Sequence, residues 1–114
     1  MKLNIRTPGS EESEAVTSLV EERLRFALAR FEGQIEDVTV DLADTNGPRR
    51  RSETSCHMAA RIVPWGAVHV ERTAEGLLAT VSRAADRLGS CVERELARRG
   101  RLKIPERVGV SRER

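Results

Sequence analysis

The chain has 114 residues, room for one domain with one hydrophobic core. It is 39% hydrophobic and 33% charged, with no run near the ~20 apolar residues that span a bilayer; its opening residues alternate without a long apolar stretch, which argues against a signal peptide, and a cytoplasmic protein is the expectation. A net charge of +2 is too small to indicate a nucleic-acid partner by itself, and two cysteines are too few for a disulfide framework.

Lys2 to Thr7 alternates Leu3 and Ile5 with polar residues, the pattern of a short strand with one buried face. Pro8-Gly9-Ser10 breaks it, and Ser10 before Glu11 and Glu12 reads as a helix N-cap with acidic first-turn residues. From about 11 to 32, Val16, Val20, Leu24, Ala27, Leu28 and Phe31 fall at helical spacing, and Gly33 is the expected stop. A second strand is predicted at about 37 to 43 on Val38, Val40 and Leu42. The turn-rich stretch Asp44 to Pro48 and the basic loop Arg49-Arg50-Arg51 follow it.

A third strand is predicted at about 53 to 63, with Cys56, Met58, Ala60 and Ile62 on one side, and a fourth at 67 to 73 with Val68 and Val70. Between them, Pro64-Trp65-Gly66 is a hairpin turn. A two-residue loop would set Val68 and Val70 opposite Arg61 and Ala59. A three-residue loop with Gly66 at positive φ is expected to pair Ile62 with Val68 and Ala60 with Val70, gathering the apolar residues. A long helix from about 75 to 99 buries Leu77, Val81, Ala84, Ala85, Leu88, Val92 and Leu96, and Gly100 ends it. Residues 101–114 read as a basic, mobile C-terminal tail beyond a single 1–100 domain.

The order β-α-β-β-β-α predicts an α+β fold, a two-layer sandwich with both helices on one face of a four-stranded sheet, similar in topology to double-stranded-RNA-binding domains. Lys2, Asn4, Thr39, Asp41, His57, Arg61, His69 and Glu71 would then line a wet face.

Two cysteines and two histidines raise zinc, but Cys56 and His57 are neighbours on a strand and point to opposite faces, so four ligands cannot converge. No phosphate loop, nucleophile elbow or metalloprotease motif is present, and no carboxylate pair falls in a plausible cleft. The expectation is a protein that is not an enzyme, with no cofactor, metal or small-molecule substrate.

The last helix is more informative. At ~100° per residue, Arg83, Arg87, Arg94 and Arg98 fall within one sector of about 60° that holds no Asp or Glu, a file ~20 Å long. Planar guanidiniums grip phosphate bidentately, so such a file suits a polyanion backbone; a merely solvated helix face is the plainer alternative. Arg23 and Arg30, seven residues apart on the first helix, either line a groove between the helices or snorkel. Trp65 and Arg49 to Arg51 are weaker candidates, and three aromatics are too few for a stacking platform.

The opening Lys2-Leu3-Asn4-Ile5, the helix ending Arg30-Phe31-Glu32, the hairpin Val63 to His69 and the run Leu77 to Leu88 with Asp86-Arg87-Leu88 together resemble the short bacterial ribosome hibernation-promoting factors, also called ribosome-associated inhibitors. The resemblance spans about residues 1 to 100. It implies a monomer or weak dimer that docks on the small ribosomal subunit, in the mRNA and tRNA channel. Basic residues of both helices would contact 16S rRNA and block initiation in stressed cells. Arg23 and Arg87 stand at matching basic positions. The chain departs from the family at Phe26, where a Lys is frequent, and at Gly89, Ser90, Cys91 and Glu93, where a dense basic run is usual. A diverged paralogue serving as a protein-interaction module is the alternative these departures leave open.

Overall fold

A computed structural model describes residues 1–7, 14–46, 52–63 and 66–100. The Ser10 cap with its acidic first turn, the Arg49 to Arg51 loop, the Pro64-Trp65 tip and the 101–114 tail lie outside the described residues. The elements are β1 (Lys2–Arg6), α1 (Glu14–Leu28) continued by a 3-10 turn (Ala29–Gln34), β2 (Ile35–Asn46), β3 (Ser52–Ile62), β4 (Gly66–Ala74) and α2 (Leu77–Arg98). The strands form one sheet in the order β1-β2-β3-β4. This is the expected β-α-β-β-β-α order.

β1 and β2 run parallel, and parallel neighbours need a crossover, which α1 supplies. Leu3 and Ile5 stand beside Val38 and Val40, continuing one apolar face into Cys56, Met58, Ala60 and Ile62 of β3 and Val70 of β4. Both helices cover that face. Val20, Leu24, Leu28 and the following Phe31 from α1 meet Val81, Ala84, Ala85, Leu88, Val92 and Leu96 from α2, all buried. Each fully buried aliphatic side chain contributes on the order of 1.5–3 kcal/mol, so the alternation and the helical stripes suffice to select this packing.

Three local expectations are corrected. Asp44, Thr45 and Asn46, read as the start of a turn, continue β2 and pair with Thr54, Glu53 and Ser52. Gly33 does not stop the first helix through a left-handed residue: the α-helix ends at Leu28, tightens into a 3-10 turn that carries Gly33, and passes into β2 at Ile35. Orphan carbonyls at a helix end are often satisfied by such a turn, and here it keeps Phe31 buried. The hairpin register also differs. Ile62 pairs with Gly66, Ala60 with Val68 and Met58 with Val70, two residues away from the expected pairing. A slip of two leaves every side chain on its own face, so the apolar pattern cannot tell the registers apart. Gly66 does have positive φ, +125°.

Gly76, at φ +95°, turns the chain from β4 into α2. The buried Thr80 hydroxyl reaches back to the Gly76 carbonyl at 2.7 Å and the Ala74 carbonyl at 3.2 Å, tying the helix start to the strand end. At the far end, Gly100 has φ +75° and donates its N–H to the Ala97 carbonyl, the stop expected there.

Candidate nucleic-acid interface

The helix layer positions the arginines. α1 and α2 meet where Gly89 faces Ala27, so closely that a Cβ on Gly89 would lie 2.9 Å from the Ala27 carbonyl oxygen. One turn further along both helices, Arg30 reaches Glu93 at 3.7 Å. The two contacts advance in the same direction, so the helices run parallel, side by side, with a groove between them.

On α2, Gly89 and Glu93 mark the wall that faces α1. At ~100° per residue Arg83, Arg87, Arg94 and Arg98 fall on the opposite shoulder, away from α1 and towards edge strand β4. All four are exposed. Among the described residues Arg83, Arg87 and Arg94 have no acidic partner. Arg98 is different: it bonds the Glu95 carboxylate at 2.7 Å, and Arg99 bonds the same carboxylate at 2.7 Å. These bonds, Arg99's first and Arg98's second, hold the Glu95 carboxyl below its ordinary range.

Arg23 lies on the shoulder of α1 that faces α2, given by Ala27, and Arg30, in the 3-10 turn after α1, reaches α2 at Glu93; both are exposed. The six arginines therefore make two groups. One is a file on the outer shoulder of α2; the other borders the groove, about one helix width (~10 Å) away. Asp86, Ser90 and Glu93 stand between them on the wheel. Of the two readings open for Arg30, the structure favours the groove: its guanidinium lies 5.1 Å from the centre of the Phe31 ring and spans to α2.

Two residues went unmarked in the sequence, and a third was marked for another reason. Arg72 lies exposed on edge strand β4 with the strand parity of Val70, which puts it on the helix-covered side of the sheet. Glu95 is the counter-charge of Arg98, visible as an i, i+3 spacing. Gly89 is the helix contact; in the sequence it stood out only as a break in the family's basic run.

The opposite sheet face is polar and largely self-neutralised. Arg6 pairs with Asp41 at 3.0 Å and Arg61 with Asp37 at 2.8 Å, while the rings of His57 and His69 lie 5.5 Å apart. Cys56 is buried on the helix side. Burial, and then the Asp41 charge, push its thiol up to about 12. Among the described residues no three His, Cys, Asp or Glu side chains gather as a metal site, and no helix is long and apolar enough to cross a membrane.

No protein-family model and no curated protein matches the chain. Solved structures do. A ribosomal subunit interface protein from Coxiella burnetii is similar with a TM-score of 0.70 at 14% identity, covering 85% of this chain and 99% of that one. The N-terminal domain of Thermus thermophilus Protein Y is similar with a TM-score of 0.63 at 22% identity, covering 83% and 99%. At these identities the likeness is one of fold, and it is the fold that the resemblance to hibernation factors implies.

Proposed function

We propose that the chain is a ribosome-associated translation inhibitor that binds 16S rRNA in the mRNA and tRNA channel of the small subunit, acting by occupation rather than catalysis. The observation that carries this is the α2 shoulder: Arg83, Arg87 and Arg94 are exposed in one file, without acidic partners among the described residues. Such a file meets a phosphate backbone with bidentate donors and no internal competitor. The shared fold with a ribosomal subunit interface protein, and the resemblance to hibernation factors in the hairpin and last helix, support the ribosome as the source of that backbone.

Co-sedimentation with purified small subunits tests the proposal. The wild-type chain is expected to pellet with subunits at low salt and to be released as salt rises, because each neutralised phosphate frees counterions. The double substitution R87E/R94E is expected to abolish pelleting and to lift inhibition of a cell-free translation reaction. A wild-type chain that stays in the supernatant at low salt would overturn the reading.

A further inference from the structure

Phe26 has no task in the core. It is 81% exposed on α1, while Val20, Leu24, Leu28 and Phe31 already fill the core-facing side of that segment. Helix formation gains nothing from it either, since Phe ranks below Lys, Arg, Glu or Leu at an exposed helical position. What distinguishes the site is its flank. Arg23 is three residues before Phe26 on α1, a spacing that brings side chains together on a helix, and Arg30 is four after it, in the 3-10 turn that continues α1. Arg23 lies on the groove side of Phe26, about 60° around the α1 axis from it, and Arg30 reaches the groove by its contact to Glu93 of α2. Arg23 has no acidic partner among the described residues. Arg30 spans 3.7 Å to the half-buried Glu93 and lies 5.1 Å from the centre of the Phe31 ring, a long ion pair and a ring contact that leave its exposed guanidinium open to a competing anion.

An exposed ring with guanidiniums one turn to either side fits a ligand that is flat and apolar at its centre and anionic at its borders. A nucleotide has this form: the base covers the ring, and its flanking phosphates meet the arginines. A base inside a duplex presents no free face, so the base must be unstacked, as at a bulge, a loop or an end. An acidic peptide would satisfy the arginines and leave the ring in water. A purely apolar partner would cover the ring and strip water from two cations.

We infer that Phe26 is a stacking residue for one unpaired RNA base, with Arg23 and Arg30 holding the phosphates beside it. This rests on the RNA-binding reading above and names the element that the groove side of the interface recognises. A single ring is not a platform for a run of bases; it reads one extruded nucleotide.

Fluorescence anisotropy on labelled RNA hairpins tests the inference. Four hairpins carry a one-nucleotide bulge, one for each base; a fifth carries an abasic bulge and a sixth an uninterrupted stem. Wild type is expected to bind at least one bulged hairpin about tenfold more tightly than the abasic one, the usual effect of one base–aromatic stack. Phe26→Ala should erase that preference while leaving the salt-dependent background and the far-UV circular dichroism unchanged. Phe26→Trp should restore the preference. Phe26→Lys, which adds a charge, should tighten all six hairpins without restoring it. No preference in wild type, or a preference that survives Phe26→Ala, overturns the inference. So does an unchanged RNA profile accompanied by loss of a co-purifying protein, which would make Phe26 a protein contact. Sedimentation of wild type with small subunits reads the ribosomal proposal separately. Subunit binding without bulge preference rejects the stack alone, whereas bulge preference without subunit binding rejects the ribosome alone.

Discussion

Gly89 of α2 approaches Ala27 of α1 until its missing Cβ would stand 2.9 Å from the Ala27 carbonyl oxygen. That atom belongs to helix backbone, so it cannot swing aside as the end of a long side chain would. The closeness sets the width of the groove that Arg23 and Arg30 border.

Substituting this glycine opposes two effects. Alanine has the better helix propensity by about 1 kcal/mol. Forcing two packed helices apart costs typically 1–3 kcal/mol. With backbone as the obstacle the second effect should win, so Gly89→Ala is expected to be less stable by about 1 kcal/mol, and Gly89→Val by more. Urea unfolding followed by circular dichroism measures both. An alanine variant more stable than wild type would mean that the helices part freely at this point.

The arginines of α2 are not equivalent, and salt dependence separates them. Arg87 has no acidic partner among the described residues, whereas Arg98 already shares the Glu95 carboxylate. Arg87→Ala is expected to lower the slope of log affinity against log salt by about 0.9, the value of one lost phosphate contact. Arg98→Ala should lower it by less than half as much. Titrations of small-subunit binding at four or more potassium concentrations give the slopes. Equal losses would show that Glu95 releases Arg98 on binding.

These distinctions mark how far the residue pattern reaches. Alternation in β2 and β3 and the stripe of α2 place every core residue on its face, because burial rewards parity and helical period directly. The β3–β4 register does not follow, since Ile62 opposite Gly66 and Ile62 opposite Val68 bury the same side chains. The Arg83-to-Arg98 sector is legible from a single helix. Its separation from Arg23 and Arg30 is not, because it depends on which wall of α2 turns towards α1. Gly89, an ordinary letter in the sequence, decides that. The Arg30–Glu93 pair joins two helices 63 positions apart in the chain, beyond the reach of any local spacing.

Cys56 is an internal probe of the sheet. It is fully buried, and its thiol is pushed up from 9.0 to about 12 by burial and then by Asp41. The native chain should resist thiol reagents at Cys56 at neutral pH and react there only on unfolding. The folded value lies above the unfolded one, so the folded state binds the proton more strongly. The associated stability is complete below about pH 9 and lost as the pH rises towards about 12, at most ~1.4 kcal/mol per pH unit. Cys56→Ala should flatten that part of the stability profile. Fast labelling of native Cys56 at pH 7, with Cys91→Ser removing the other thiol, would contradict the burial.

Glu95 restrains the end of the α2 file, and its removal is expected to act opposite to most substitutions at a binding surface. Its carboxyl is held below the ordinary range by hydrogen bonds from Arg99 and then Arg98. A depressed carboxyl contributes stability above its unfolded value of about 4.5, and that contribution fades as the pH falls through the folded value. At neutral pH the charge is present and competes with phosphate for Arg98. Glu95→Gln keeps the shape and removes the competitor, so small-subunit affinity should rise several-fold at low salt and the salt slope should steepen. Combining it with Arg98→Ala should cancel the gain, since the freed guanidinium is its source. If Glu95→Gln weakens binding instead, the carboxylate positions Arg98 for its phosphate, and the pair acts as one unit of the interface.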